Sequence, residues 1–304
     1  MKGLVMRSTG MWYDVLLEDN RMQSCRVRGK LRLEGFKETN PIAVGDYVDV
    51  ETEGSEGVIT RIHERKNHIL RQSVKKTQHA HVLAANIDLA VLVVTMSMPR
   101  TSSGFIDRFL VTAESFDVPQ ALIFNKQDLL TEEDQGLQSE LIATYETLGI
   151  PCVKISAVHD KLTPVMELLS GKTSLIAGHS GVGKSTMLNK LSPSIQQSVA
   201  EISSFSQKGT HTTTFAEMFG VDDKTFVIDT PGIKEWGLIG MKPEELSDNF
   251  PEMRNLRAHC KFGYRCLHFN EPKCAVKEAV ENGAVALSRY ENYLSMLIGE
   301  DNRK

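Results

Sequence analysis

The sequence predicts a multidomain chain of three parts: a small N-terminal β-barrel, a central α/β domain with a mostly parallel sheet, and a C-terminal helical segment around a cysteine/histidine cluster. Three observations predict it. Over residues 1–72, short strand-like runs are broken by Gly10, Gly29, Gly35, Gly45, Gly54 and Gly57, the rhythm of a small closed sheet. Between residues 86 and 237, apolar strands alternate with helical stretches, which argues for a parallel sheet with helices on both faces. After residue 237 the strand pattern stops, and three of the chain's five cysteines fall between two helical stretches.

Composition narrows the class without deciding it. With 304 residues, 41% hydrophobic and 24% charged, the chain has ordinary globular usage, which excludes disordered, collagen-like and coiled-coil proteins. The longest apolar run, Leu89 to Met96, is far shorter than the about 20 residues that cross a bilayer. Met1-Lys2-Gly3-Leu4 lacks the apolar stretch of a signal peptide. A cytosolic protein with no membrane partner is expected. The odd, clustered cysteines argue against a disulfide scaffold.

The elements follow in order. Trp12 to Leu17, Cys25 to Arg28, Tyr47 to Val50 and Val58 to Ile62 read as barrel strands. The polar, basic residues 73–85 read as a linker. In the central domain (86–237), strands are predicted at Leu89–Val94, Ala121–Phe124, Cys152–Ile155 and Ser174–Ala177. Helices are predicted at Asp107–Phe116, Glu132–Leu148, Lys161–Leu169 and Lys184–Leu191, and a hairpin of Thr214–Val221 and Lys224–Ile228 turns at Asp222-Asp223. In the C-terminal part (238–304), Pro243–Met253 and Ala275–Gly299 read as helices.

Four motifs sit at predicted strand ends. Gly178-His179-Ser180-Gly181-Val182-Gly183-Lys184-Ser185 fits G-x-x-x-x-G-K-S between a strand and a helix, the context in which backbone N–H groups and the helix N-terminus cradle phosphates. Lys184 is expected to reach the β- and γ-phosphates and Ser185 to bind Mg²⁺. Thr186, the next residue of that helix, joins the GTP-binding set. Asp229-Thr230-Pro231-Gly232 fits D-x-x-G: Asp229 holds Mg²⁺ and the Gly232 N–H meets the γ-phosphate. Asn125-Lys126-Gln127-Asp128 fits N-K-x-D. Its Asp128 carboxylate accepts from guanine N1–H and the 2-amino group, where adenine offers no donor; sites of this type discriminate by about 10⁴–10⁵. The Lys126 stem covers the base plane and Asn125 ties this loop to the phosphate loop. Ser156-Ala157 supplies a backbone N–H for guanine O6.

Their order is unusual. The base motifs (125 and 156) precede the phosphate motifs (178 and 229), the reverse of ordinary GTPases. This is a circular permutation, and it runs the loop after Asp229-Thr230-Pro231-Gly232 directly into the C-terminal part. Between the phosphate loop and Asp229 lies Gly209-Thr210-His211-Thr212-Thr213-Thr214. Thr212 and Thr213 are the candidates to bind Mg²⁺ and the γ-phosphate in the triphosphate state. Ile233 stands where many GTPases carry the Gln that orients water. That implies slow intrinsic turnover and makes His211 a candidate for orienting water. For His179, a surface position near the nucleotide is the favoured reading.

Cys260, Cys266, His268 and Cys274 form C-x5-C-x-H-x5-C, three thiolates and an imidazole that complete a tetrahedral structural Zn²⁺ site, one ion per chain. His259 is an adjacent alternative to His268. Cys25 and Cys152 lie in apolar strand patterns and read as core residues.

Taken together these residues resemble the RsgA/YjeQ family, circularly permuted GTPases of late small-subunit assembly. The resemblance spans nearly the whole chain. It includes Arg28-Gly29-Lys30 and Val44-Gly45-Asp46-Tyr47-Val48 in the barrel, Ala85-Asn86-Ile87-Asp88, the permuted motifs, the Thr-rich switch and Glu271-Pro272-Lys273-Cys274-Ala275-Val276. It implies an OB-fold barrel, a permuted P-loop GTPase domain and a zinc-binding helical domain whose ligands are Cys260, Cys266, His268 and Cys274. It also implies slow GTP hydrolysis stimulated by the small ribosomal subunit, with that subunit and its rRNA as partners of a monomer. The chain departs from the family in a first cysteine gap of five residues where four is expected, and in His179. The alternative is a nucleotide-regulated rRNA-binding module with negligible hydrolysis, motivated by Ile233. An ATPase is opposed by Asp128.

The net charge of -4 divides unevenly. Residues 1–85 carry 14 Lys+Arg against 11 Asp+Glu, residues 86–237 carry 11 against 18, and residues 238–304 carry 10 against 10. The acidity lies in the nucleotide-binding part, and the barrel and linker are the favoured RNA face.

Overall fold

The computed structural model describes residues 1–27, 42–54, 56–72, 80–192, 216–229 and 241–300. His211, Thr212, Thr213, Gly232 and Ile233 lie outside the described residues.

Five strands close the N-terminal barrel: β1 (Lys2–Ser8), β2 (Tyr13–Leu17), β3 (Met22–Val27), β4 (Tyr47–Glu53) and β5 (Glu56–Ile62). Their order is β1-β2-β3-β5-β4, closed by pairing of β4 back to β1, with β3 and β5 parallel and the other pairs antiparallel. Strand β1 is absent from the strands expected on sequence grounds. Its run of buried residues hides the two-residue alternation, because β1 pairs with β2, β4 and the central domain at once. Closure centres on Asp46, fully buried, which accepts the Ala43 amide and a two-pronged Arg65 guanidinium. Inside lie Val5, Tyr13, Val15, Cys25, Val48 and Ile59.

Residues 80–85 correct the linker reading. They form β7 (Ala80–Ala85), which pairs antiparallel with β6 (His68–Gln72). This hairpin meets the barrel: Ala85 N–H donates to Val44 O, and a Cβ on Gly45 would stand 2.1 Å from Ala85 O. The glycine (φ +90°) is required there by both backbone conformation and contact.

The central sheet holds β8 (Leu89–Val94), β9 (Gln120–Phe124), β10 (Cys152–Lys154), β11 (Thr173–Ala177), β12 (Glu217–Gly220) and β13 (Phe226–Asp229) in the order β10-β9-β8-β11-β13-β12. Five are parallel; β12 pairs antiparallel with β13 and, at Arg7↔Glu217, with β1. Strand β8 is buried at every position, as a central parallel strand covered on both faces should be. Its alternate residues serve two cores. Ala90, Leu92 and Val94 face Phe105, Phe109 and Tyr145 on α1 (Ser103–Glu114) and α2 (Glu132–Thr147). Leu89, Val91 and Val93 pack with Val165, Leu169, Met187 and Leu188 on α3 (Thr163–Leu169) and α4 (Lys184–Leu191). Local chemistry sets the helix starts: the Ser102 hydroxyl accepts the Phe105 amide, and Thr131 and Asp134 form a reciprocal capping box.

The C-terminal part is more broken than expected. Pro243–Met253 divides into α5 (Pro243–Leu246), a 3₁₀ turn (Ser247–Asn249) and α6 (Pro251–Arg254), because Pro251 cannot continue a preceding helix. Ala275–Gly299 divides into α7 (Ala275–Glu281) and α8 (Leu287–Leu297) at Gly283, whose φ is +79°. Their core joins Val111 of α1 to Phe250, Met253, Val276 and Tyr293.

Candidate functional site

Strands β9, β10, β11 and β13 run parallel, so the loops after them open on one edge of the sheet. In parallel α/β sheets that edge is where ligands bind. Asn125 to Asp128, Ser156-Ala157, the phosphate loop and Asp229 stand there.

The phosphate loop joins β11 to α4. Gly178 (φ +149°) lies against β8, where a Cβ would come within 2.5 Å of Val93 O. Gly183 (φ +97°) lies against the base loop, where a Cβ would come within 2.2 Å of Asn125 Nδ2. The loop is therefore pinned to β8 and to the loop after β9 through glycine-only contacts. Lys184 Nζ donates to Gly178 O (2.6 Å) and His179 O (3.0 Å), folded across the loop. Burial lowers its pKa, and the Asp229 carboxylate at the end of β13 opposes that shift. Ser185 and Thr186 are exposed on the first turn of α4. His179 corrects the surface reading: it is half-buried and its ring packs on Phe105 of α1, centroids 3.9 Å apart.

In the base loops, Asn125 is 2% exposed and holds three segments together. Its Nδ2 donates to Val182 O in the phosphate loop (2.7 Å), and its Oδ1 accepts the Ala157 amide (2.9 Å). Lys126 takes a left-handed conformation (φ +64°) and its Nζ donates to Met98 O. Asp128 is exposed, and the Ser156 hydroxyl donates to its Oδ1. That hydrogen bond is the main cause holding Asp128 below the usual carboxylate pKa, with His159 and Lys126 adding to it. Asp160 accepts the Ser156 amide on its carboxylate (2.6 Å). The motifs assign Ser156 a role only through its backbone and do not single out Asp160, Phe105 or Met98. These act across turns and between strands, where no spacing rule announces them.

The C-terminal cluster gathers as expected. Cys260, Cys266, His268 and Cys274 are buried, and their ligand atoms all lie within 4.8 Å of one another. His259 is not part of it. Cys260 Sγ and Cys274 Sγ are 3.9 Å apart, and His268 Nδ1 is 3.6 and 3.3 Å from them. Four ligands at the about 2.3 Å and about 2.0 Å of tetrahedral zinc–sulfur and zinc–nitrogen bonds would stand about 3.6–3.8 Å apart. The cysteines form no disulfide. Burial and the neighbouring thiols push Cys266 up to about 12, and burial with the Arg257 charge pushes His268 down to about 4. A neutral imidazole among thiols that cannot ionise alone is a donor set that fits a cation. The supporting frame is also ordered: Glu271 accepts the Leu267 and Phe269 amides, and the Tyr290 and Tyr293 hydroxyls of α8 donate to His268 O and Leu267 O.

A parallel sheet in this order, with the phosphate loop on its central strand and the base motifs earlier in the chain, defines a circularly permuted P-loop GTPase. Known proteins agree. Residues 2–59 match the family described as RsgA N-terminal domain, and residues 62–239 match the one described as RsgA GTPase. The small ribosomal subunit biogenesis GTPases RsgA of Phocaeicola vulgatus and Christiangramia forsetii are 47% and 45% identical, covering 100% and 99% of this chain and 98% and 97% of theirs. Among solved structures, YjeQ from Thermotoga maritima superposes with a TM-score of 0.80 at 37% identity, over 100% of this chain and 99% of that one. YloQ, described as a circularly permuted GTPase, gives 0.76 at 30% identity, over 100% and 96%. The chain belongs to the RsgA GTPase family and is a GTP hydrolase.

Proposed function

We propose that this chain hydrolyses GTP to GDP and phosphate on the small ribosomal subunit during its late maturation, with turnover stimulated by that subunit. The observation that carries the site reading is Asn125, whose one side chain binds both the phosphate loop and the Ser156-Ala157 turn. That bridge brings the base and phosphate motifs side by side despite the permuted chain order, which supports one nucleotide site. Relatives named for small-subunit biogenesis, matched end to end, support the partner.

In this reading Asp128 accepts from guanine N1–H and the 2-amino group, with its carboxylate already aimed by Ser156. The Ser156-Ala157 turn meets O6 and the Lys126 stem covers the ring. The amides of Gly178, His179, Ser180, Gly181, Val182 and Gly183 line the phosphate chain, and Lys184 leaves its loop carbonyls to reach the β- and γ-phosphates. Ser185 and Asp229 would hold Mg²⁺; their hard oxygen donors fit it, and the ion supplies positive charge to the β- and γ-phosphate oxygens. Thr186 and the Gly232 amide complete the set. Thr212 or Thr213 would bind Mg²⁺ and the γ-phosphate in the triphosphate state, and His211 orients the attacking water. Cys260, Cys266, His268 and Cys274 hold one structural Zn²⁺. The rRNA of the subunit is met by the barrel and the residues up to 85, and the protein acts as a cytoplasmic monomer. No helix among the described residues is long and apolar enough to cross a membrane.

The test is GTP turnover with and without purified small subunits. Stimulation that saturates with subunit is expected; equal rates at every ratio overturn the proposal. Single-turnover hydrolysis on the particle separates it from an rRNA-binding module that only binds nucleotide. His211→Ala is expected to slow that step.

A further inference from the structure

No GTPase motif includes Lys190, yet its ammonium is held by three main-chain carbonyls of the loop that faces the base. It lies in the last turn of α4, the helix opened by the phosphate loop. Its Nζ donates to Asp160 O at 2.7 Å, Val158 O at 3.2 Å and Ala157 O at 3.3 Å. An ammonium has three donors, and here each has a carbonyl. The same loop carries Ser156 and Ala157, and it is stiffened from within: Asp160 accepts the Ser156 amide at 2.6 Å, and the His159 and Asp160 amides donate back to Ser156 O.

We propose that Lys190 is a positioning residue for guanine recognition: by fixing residues 157–160 to the phosphate-binding helix, it holds the Ser156-Ala157 turn at the height where it meets the base and aims Asp128. This rests on the reading of that turn and Asp128 as the guanine site. The pocket has two struts. Asn125 joins the base loop to the phosphate loop from one side. Lys190 joins the Ser156-Ala157 turn to the far end of the same helix from the other. The chain from α4 through Lys190, the 157–160 turn and the Ser156 hydroxyl ends at the Asp128 carboxylate. A turn fixed before the ligand arrives does not have to be ordered by it, so affinity gains by preorganisation. Because the turn touches the base and not the phosphates, the gain is specific to guanine. Lysine suits the task where arginine does not: three carbonyls around a point charge match a tetrahedral ammonium better than a planar fork.

The experiment compares Lys190→Met, which keeps the apolar stem and removes every donor, with Lys190→Arg and wild type. GDP and ADP affinities are measured by competition with a fluorescent guanine nucleotide, alongside the melting temperature of each chain. For Lys190→Met, GDP affinity is expected to fall about tenfold, about 1.4 kcal/mol. ADP affinity and the nucleotide-free melting temperature should stay as in wild type, so that the guanine-over-adenine ratio falls by the same factor. Lys190→Arg is expected to fall between the two. A Lys190→Met chain with wild-type GDP affinity, or one that loses GDP and ADP equally, overturns the proposal. A wild-type chain that binds ADP as tightly as GDP instead overturns the guanine-site reading on which it rests.

Discussion

At the scale of single residues, the pocket depends on groups with no room to change. The Asp128 carboxylate is aimed by the Ser156 hydroxyl. Asp128→Asn replaces one acceptor oxygen by an amide donor, which suits the 2-oxo group of xanthine and opposes the 2-amino group of guanine. GTP affinity is expected to fall and xanthosine triphosphate affinity to rise; unchanged GTP affinity would contradict the assignment. Gly183 gives a second test. Its φ is positive, and a Cβ added there would stand 2.2 Å from Asn125 Nδ2, which leaves no space for a methyl group. Gly183→Ala must push away the amide that ties the two halves of the pocket together. Nucleotide affinity measured by titration is expected to drop at least about tenfold, with the barrel and the C-terminal part unaffected.

At the scale of elements, α1 is the joint of the molecule. Its Asp107 is 1% exposed and accepts from the Tyr145 hydroxyl of α2 (2.8 Å), Arg289 of α8 (2.7 Å) and Asn292 of α8 (2.6 Å). Arg289 also grips the Glu252 carboxylate with two nitrogens and lies over the Phe250 ring, 4.6 Å from its centre. The buried Asp107 carboxylate, the partly buried Glu252 carboxylate and one guanidinium thus clamp the C-terminal part to the GTPase domain. Removing one partner of a buried pair leaves the other charge uncompensated, which costs about 3–5 kcal/mol. Arg289→Met is expected to destabilise by that order in denaturant unfolding; a change below about 1 kcal/mol would show that the clamp is dispensable. The Cys260, Cys266 and Cys274 side chains of the candidate metal cluster lie in the same core as Val111 of α1. Chelation should loosen residues 241–300, read as rapid hydrogen exchange there, because a structural metal contributes folding free energy. Metal analysis should find about one zinc per chain, and far less would reject the site.

At the scale of the whole molecule, charge bounds the proposed contact with RNA. The barrel and the residues up to 85 carry a net +3 against -7 for residues 86–237, from 14 basic and 11 acidic side chains against 11 and 18. A protein that neutralises about 6–10 phosphates loses about 10³–10⁵ in affinity between about 50 and 200 mM salt. So small a local charge predicts docking by shape and a loss of affinity below about 10³ over that range, measured by co-sedimentation with small subunits. A steeper fall would reveal a denser basic face than these counts allow.

Much of the architecture is legible in the residues alone. Leu89–Val94 and Lys184–Leu191 lie where the pattern puts them, because a buried parallel strand and a helix capped by a glycine-rich loop are written in consecutive residues. Strand β1 and the β6–β7 hairpin are not legible, since their pairing partners come from other parts of the chain. The amino-acid sequence by itself determined the motifs: phosphate, guanine and metal ligands need fixed residue types at short fixed spacings, so Gly178 to Ser185, Asn125 to Asp128 and Cys260 to Cys274 carry those signatures locally. Only the tertiary structure decided what holds that chemistry in place. The Ser156–Asp128, Lys190–Ala157 and Arg289–Asp107 contacts join residues 28, 33 and 182 positions apart. Contacts at such separations are set by which elements pack together, and no periodicity or motif in the sequence encodes them.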